Sequence, residues 1–446
     1  MKDLTVGNER NLILKFAMPM LLANLFQQTY TIADLAIIGN SHIGDLGITA
    51  ITNSFHIIFS LIALIIGISV GFNVIISQYF GAKQIEKVKL TVDTMVVTLV
   101  FASLAITLVG LIISEPLFVL IKVPVEAMPM ATSYINVYFL GVIAFFGFHG
   151  VSAVLRGLGD SKTPLYFMIA SSILNIILDY YFIIVLEWGI EWAAIATIIA
   201  QGIVFILAVI YLNKTHKIVN FSFTRFRFDK NIFEKCIAIG LPSGIQTTLV
   251  GLSMLALMWI INPFGNNTVA AFGIASRIDQ FASLPAMNFA MALSTFVGQN
   301  LGARKIARVR NGFHSTLIMN SIITIIVTIL VVFGGRQLMS WFTDSPEVIE
   351  IGVKYLVIVS SFYIVFTSMF IIGGVLRGAG DTVIPMFITL FALWAVRIPL
   401  AWALSETKMG INGVWWAIPI AWFLGMFLSF LYYKTGRWKK KSVIDF

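Results

Sequence analysis

Long apolar runs, separated by short polar connections, dominate the pattern of this chain. Twelve runs can be delimited, six in each half: 12–40, 47–80, 90–114, 127–155, 165–186, 192–212, 236–262, 269–301, 312–334, 348–376, 386–404 and 411–433. Each is long enough for an α-helix to cross a hydrocarbon core of roughly 30 Å. The runs lack the apolar-polar alternation of barrel strands. They therefore predict an all-α, polytopic membrane protein with twelve transmembrane helices.

Composition agrees with helices in lipid. Apolar residues make up 59% of the 446 positions and charged residues 11%, and the mean hydropathy is +0.93. Soluble domains carry roughly 25% charged residues. No water-soluble fold could cover this much apolar surface, which excludes a soluble enzyme. The one cysteine, Cys236, excludes a disulfide framework and any multi-cysteine metal site.

The net charge of +9 follows the predicted topology. Of the 30 Lys and Arg residues, 24 lie in the termini and in every second connection, and the alternate connections hold four. By the positive-inside rule this asymmetry places both termini in the cytoplasm, in a multi-pass protein of the inner, cytoplasmic membrane. The first run has no small-residue cleavage site and is interpreted as an uncleaved span. The basic balance thus needs no nucleic-acid partner.

Two motifs recur at one constant offset in residue number. Residues 154–164 (VLRGLGDSKTP) recur as 375–385 (VLRGAGDTVIP), and 78–83 (QYFGAK) recur as 299–304 (QNLGAR). This repetition indicates an internal duplication. The Arg-Gly-x-Gly-Asp loops are interpreted as tight turns with scaffold and hinge roles, because they lack the Gly-Lys-Ser/Thr of a phosphate-binding loop.

The duplication predicts the domain organisation. An N-lobe over 1–212 is joined by a cytoplasmic linker, 213–235, to a C-lobe over 236–446 that ends in a basic tail. Six helices per half is an even number, so both halves have the same orientation. The pseudo-two-fold axis that relates the two lobes then runs along the membrane normal, and a substrate would bind between them.

Four polar residues of the first half have apolar counterparts in the second. The pairs are Asp34 and Leu257, Asn175 and Val396, Asp179 and Leu400, and Thr197 and Ile418. All four polar side chains are predicted at similar depth in the outer half of their helices. Carboxylates within a membrane are costly and usually functional. The scaffold itself does not require them, since the second half does without.

These four residues suit a small cation. Two carboxylates with amide and hydroxyl oxygens would bind Na⁺, and the same acids in a medium of low dielectric constant could carry a proton instead. The alternative is a buried polar network that only ties helices 1, 5 and 6 together. Pro19 removes a backbone hydrogen bond within the first helix and offers a bend there. We expect cation loading at Asp34 and Asp179 to bend this helix and expel a substrate.

Other polar or adaptable residues are candidates for a substrate cavity. On the first helix Gln27, Tyr30 and Thr31 form one stripe with Asp34. In the second half Arg277 and Asp279 could form a structural pair, or Asp279 could receive cationic substrates. Flexible methionines can line a cleft that adapts to several ligands. Two such residues are Met287 and Met291.

Over its whole length the sequence resembles the multidrug and toxic compound extrusion (MATE) family, and most closely its prokaryotic DinF-like branch. The residues and motifs that carry the resemblance are Pro19, Gln27, Tyr30, Asp34, Gln78-x-x-Gly-Ala, Arg156-Gly-x-Gly-Asp, Asn175, Asp179, Thr197, Gln299-x-x-Gly-Ala and Arg377-Gly-x-Gly-Asp. The resemblance implies a V-shaped pair of six-helix lobes that exports drugs and organic cations against inward Na⁺ or H⁺. It assigns the cation to Asp34, Asn175, Asp179 and Thr197, and the bend to Pro19.

One departure bears on the choice of lobe. Other branches of the family carry an acidic residue in helix 7, whereas 240–262 contains none, which favours the first lobe. The expected protein is a monomeric secondary antiporter in the bilayer, with no cofactor besides the coupling ion. The alternative is a lipid-linked precursor flippase of the same superfamily, which would need a more cationic cavity. No His-Glu-x-x-His or Asp-Asp-x-x-Asp set suggests an enzyme.

Overall fold

A computed structural model describes residues 2–120, 123–215 and 227–444, and these residues form helices without a single strand. The first half contains α1 (Glu9–Gly39), α2 (Gly44–Gly81), α3 (Ile85–Leu120), α4 (Met128–Leu140), α5 (Val142–Gly157), α6 (Lys162–Asp179) and α7 (Glu191–Thr215). The second contains α8 (Lys230–Ile261), α9 (Asn266–Gly302), α10 (Ile306–Ser340), α11 (Pro346–Ser360), α12 (Tyr363–Gly378), α13 (Val383–Leu390), α14 (Ile398–Ser405) and α15 (Ile411–Thr435). The predicted all-α membrane fold is confirmed.

Within the described residues, nine helices are long and apolar enough to cross a membrane. Two further pairs, α4 with α5 and α11 with α12, are each bent by 49° and bring the number to eleven if each pair is one span. The remaining predicted span is α1. Its 31 residues give a helix of about 46 Å, and polar residues such as Gln27 and Asp34 interrupt its apolar run.

The backbone repeats with the sequence, which supports the duplication. Lys83 and its counterpart Arg304 both adopt a left-handed conformation, with φ of 59° and 58°. Gly159 and Gly380 correspond in the same way, with φ of 84° and 90°. Left-handed backbone favours glycine and marks a tight turn. The two pairs close the repeated Gln-x-x-Gly-Ala and Arg-Gly-x-Gly-Asp motifs, as expected for turn motifs.

The chain packs into two compact units, and two helices each have one part in either unit. One unit comprises Met1–Asp3 and Pro19–Leu241, and the other comprises Leu4–Met18 and Pro242–Phe446. The first part of α1 therefore belongs to the second unit, and the first part of α8 belongs to the first. Both divisions fall at a proline inside the helix. Of the predicted linker 213–235, residues 216–226 lie outside the described part of the chain.

Small residues bring α2 and α8 into close contact within the first unit. A Cβ atom added to Gly71 would lie 2.1 Å from the carbonyl oxygen of Cys236, and one added to Gly240 would lie 2.8 Å from that of Gly67. Each helix thus presents two small residues one turn apart. In membranes such pairs let backbones approach closely, and dispersion forces then hold the helices together.

The N-terminal segment packs into the second unit. Leu4 is fully buried, its amide donates to Oε1 of Gln299 at 2.9 Å, and its carbonyl accepts from Nδ2 of Asn300 at 3.2 Å. Glu9 forms an ion pair with Arg308 at 3.1 Å, with both side chains about four-fifths buried. The repeated motif at Gln299 therefore holds the N-terminal segment of the same chain.

We expect Leu4→Ala to destabilise the protein by about 2–5 kcal/mol, the usual range for removing a buried leucine side chain. The matched control is Val6→Ala, because Val6 is 63% exposed and should lose little. Thermal unfolding of the purified protein in detergent measures both. Equal melting temperatures for the two variants would contradict the observed packing of Leu4.

Candidate functional site

The structure brings together the four residues predicted to bind a cation, all within the first unit. The carboxyl groups of Asp34 on α1 and Asp179 at the end of α6 are close neighbours that interact electrostatically. Asn175, one turn before Asp179, lies against the same carboxyl. Its side-chain nitrogen donates to the hydroxyl of Thr197 on α7 at 3.3 Å. Three helices thus converge on one polar cluster.

Among the residues that the structure describes, several oxygens of this cluster have no hydrogen-bond partner. They are Oδ1 of Asp34, Oδ1 of Asn175 and both carboxylate oxygens of Asp179. Asp179 is completely buried, and Asn175 is nearly so. A buried oxygen without a donor costs free energy, and a buried carboxylate costs more. The donor set therefore fits either a small hard cation or a proton that bridges the two acids.

A wide helical turn adjoins the cluster. Residues Tyr180–Val185 form a π-helical turn that starts directly after Asp179. In the second half, the π-helical turn Phe391–Arg397 ends at Arg397, which is 1% exposed. Such turns often occur at functional sites, because the extra residue displaces a side chain from the regular helical face. In both units the wide turn lies next to a buried charged residue.

A small cavity of about 10 Å³ lies beside the cluster in the first unit, close to the volume that one water needs. Its polar lining includes Gln27, Tyr30, Ser172, Asn175, Thr197 and Gln201. Two of the predicted cavity residues, Gln27 and Tyr30, therefore line a cavity together with two members of the cluster. The hydroxyl of Thr31 instead donates to the carbonyl of Gln27 in its own helix, at 3.0 Å.

Sequence reasoning missed several polar residues around this site, and four of them bear on its chemistry. Ser172 and Gln201 line the cavity, and each has a side-chain oxygen that no described residue meets with a hydrogen bond. Both could have been found, since Ser172 lies one turn before Asn175 and Gln201 one turn after Thr197. The other two are Tyr134 and Tyr138 on α4. Tyr134 lies within electrostatic reach of both acids, and Tyr138 lies within reach of Tyr30; neither carries a charge that would have singled it out.

The second unit holds a different polar cluster. Asp279 on α9 accepts hydrogen bonds from Tyr355 at 2.5 Å and from Tyr363. Arg397 donates to the hydroxyl of Ser253 at 2.6 Å, and its Nε finds no hydrogen-bond partner in the described part of the chain. The suggested pair of Arg277 and Asp279 is wrong: these two described residues form no ion pair, and Arg277 is exposed. Two positions apart on a helix, their side chains leave on different faces.

The duplication is visible in these two clusters. Tyr134 and Tyr355 correspond at the offset of the repeated motifs, and each lies near an acid of its own unit. The acids themselves come from different helices, α1 and α6 in one case and α9 in the other. Of the remaining predicted cavity residues, Met287 is 41% exposed and Met291 is half-buried. Their role stays a prediction, as does that of Asp279.

Comparisons with known proteins agree with the duplicated fold. The MatE family model matches residues 19–181 and again 242–403. A probable multidrug resistance protein, YpnP of Bacillus subtilis strain 168, is 31% identical over 98% of this chain and 97% of its own length. The multidrug export protein MepA of Staphylococcus aureus strain MSSA476 is 24% identical over 92% of this chain and 90% of its own.

Among solved structures, an outward-facing multidrug resistance MATE family transporter of the MOP superfamily superposes with a TM-score of 0.92. It is 23% identical and covers 99% of both chains. A MOP superfamily transporter from Pyrococcus furiosus gives 0.91 at 23% identity, over 98% of each chain. The helical architecture is therefore shared along the whole length.

Proposed function

Since this chain belongs to the MatE family of multi-pass membrane transporters, we propose that it is a multidrug efflux antiporter. It exports organic, often cationic compounds in exchange for Na⁺ or H⁺ that enters through the first unit. The proposal places the protein in the inner membrane as a monomer with both termini in the cytoplasm. No cofactor takes part besides the coupling ion, which is a substrate of the exchange.

The observation that carries the proposal is the set of unpartnered oxygens around Asp34, Asn175 and Asp179. The residues that correspond to these three in the second half are apolar, so the fold does not need the polar side chains. A network that only tied helices together would be expected to satisfy its own hydrogen bonds. Unpartnered oxygens in a buried site support the binding of a cation that enters and leaves during transport.

Cation loading would act on the geometry of α1. Two carboxylates side by side repel each other when both are charged, and a bound Na⁺ or a shared proton removes that repulsion. Loading would therefore draw Asp34 and its helix towards Asp179 on α6. Pro19 lies inside α1, where a missing hydrogen bond makes bending easier. Displacement of α1 is the step we couple to substrate release.

The test is transport in proteoliposomes loaded with a fluorescent organic cation such as ethidium. A Na⁺ gradient and a pH gradient of equal size are imposed in separate experiments. We expect either the Na⁺ gradient or the pH gradient to drive the dye against the dye's own concentration gradient, because one kind of coupling cation is enough to fill the site. Dye movement that depends on neither gradient would rule out the antiporter. Empty liposomes and protein with Asp34→Asn are the controls.

A further inference from the structure

A second cavity, of about 710 Å³, lies at one end of the second unit. It is formed by the first turns of α10 and by the 3₁₀ helix Arg437–Lys441, which follows α15. This volume is within the usual range for small-molecule sites. The cavity is far along the chain from Asp34 and Asp179, and none of its lining residues belongs to the proposed cation site.

The charge of the lining is positive. Arg310, His314 and Lys439 line the cavity, and none of its lining residues is acidic. Neither Arg310 nor Lys439 takes part in any of the ion pairs recorded for the described residues. The first residues of α10 also line it, so the positive end of the helix dipole adds to the field. The cavity favours an anion.

Aromatic side chains give the cavity a fixed wall. Trp438 is buried and stacks on Tyr433 at 5.4 Å between ring centres, while its Nε1 donates to the carbonyl of Tyr433 at 2.9 Å. Tyr433 in turn packs against Phe313 on α10 at 4.8 Å. Trp and Tyr are the residues enriched at membrane–water interfaces. These contacts hold the basic 3₁₀ helix in place beside α10.

An apolar stripe leads away from the cavity along α10. Asn311 and Ser315 line the cavity, and the same helical face continues, at steps of three or four, through residues that are all about half exposed or more. They are Ile318, Ile322, Ile325 and Ile329. A free anion would have no use for such a stripe. A phospholipid would, because its headgroup phosphate suits the basic cavity and its acyl chain suits the apolar stripe.

We propose that this cavity binds the phosphate headgroup of an anionic phospholipid, with an acyl chain lying along the isoleucine face of α10. Arg310 and Lys439 contact the phosphate, and the wall of Trp438 and Tyr433 lies at the level of the headgroups. By the positive-inside rule this is the cytoplasmic leaflet. Basic pockets beside transmembrane helices on that side are suited to anionic headgroups.

Native mass spectrometry of the purified full chain tests the proposal. Phosphatidylglycerol and phosphatidylcholine with identical acyl chains are titrated separately, and inorganic phosphate is added as a competitor. We expect selective binding of phosphatidylglycerol that phosphate does not displace. Arg310→Gln with Lys439→Gln should weaken it by about fivefold per charge, on the order of 25-fold together.

The matched control is Lys440→Gln with Lys441→Gln, which removes two charges from the same 3₁₀ helix but none from the cavity lining. It should keep most of the affinity, because salt screens charges outside the site. Equal losses in both double variants, or equal binding of the two lipids, would overturn the site. Full displacement of phosphatidylglycerol by inorganic phosphate would show that the cavity does not bind a lipid as such. A circular dichroism spectrum like that of the unchanged protein shows that each variant is folded.

Discussion

Asparagine in place of Asp179 should nearly abolish cation-driven efflux. The substitution keeps the shape of the side chain but removes a charged ligand from the cluster with Asp34. A hydrogen bond or contact to a charged group is worth about 1.5–3 kcal/mol, so we expect cation affinity to fall about 10- to 150-fold. Efflux of a fluorescent cation from proteoliposomes, under the gradient that drives the unchanged protein, measures the loss.

Stability separates this expectation from a purely structural role of the cluster. Asp179 is completely buried with two unpartnered oxygens, so its neutralisation should leave the melting temperature unchanged or raise it. The driving cation should stabilise the unchanged protein by mass action and should not stabilise Asp179→Asn. A lower melting temperature in the variant, together with no cation effect on the unchanged protein, would favour the structural network. Asp344→Asn, at an exposed acid, is the control for both measurements.

Alanine in place of Gly71 should strongly destabilise the first unit. Its added Cβ would lie 2.1 Å from the carbonyl oxygen of Cys236, and a backbone atom cannot turn aside as a side chain can. The helices α2 and α8 must then separate, and such overpacking costs about 1–3 kcal/mol or more. The yield and melting temperature of the detergent-purified protein measure the effect.

The control for Gly71→Ala is Gly373→Ala. Gly373 is also a helical glycine, on α12, but outside its own stretch of helix no atom of the described residues lies within 4 Å of the position of its added Cβ. There the alanine should be neutral or stabilise the helix by about 0.5–1 kcal/mol. If both variants melted alike, the close approach of α2 and α8 would not limit stability.

The arrangement of the candidate site could be predicted because two simple rules locate it. Asn175 and Asp179 are one helical turn apart, and this spacing puts both on one face of α6. In the duplication, Asp34 and Thr197 correspond to apolar residues of the second half, which indicates that the scaffold does not need them. The structure brings the four together, and whether they bind the coupling ion awaits the transport experiment.

Other features depend on contacts that a linear pattern does not contain. Asp279 takes its partners from α11 and α12, two helices that follow much later in the chain, so its closeness in sequence to Arg277 does not indicate a pair. The contact of Gly71 with α8 joins the second helix to the eighth and involves side chains without charge or aromatic character. The sequence predicts a bend at Pro19, but it does not indicate that α1 passes there from one packing unit to the other.

That passage has a consequence for how the chain can be made. The segment Leu4–Met18 leaves the ribosome early, yet its partners Gln299 and Arg308 are made only in the second half of synthesis. The first unit likewise waits for the residues up to Leu241. Late, non-local pairing slows assembly and leaves surfaces open meanwhile. Neither half should mature alone during synthesis, and two separately expressed halves should have to be inserted side by side to yield a working protein.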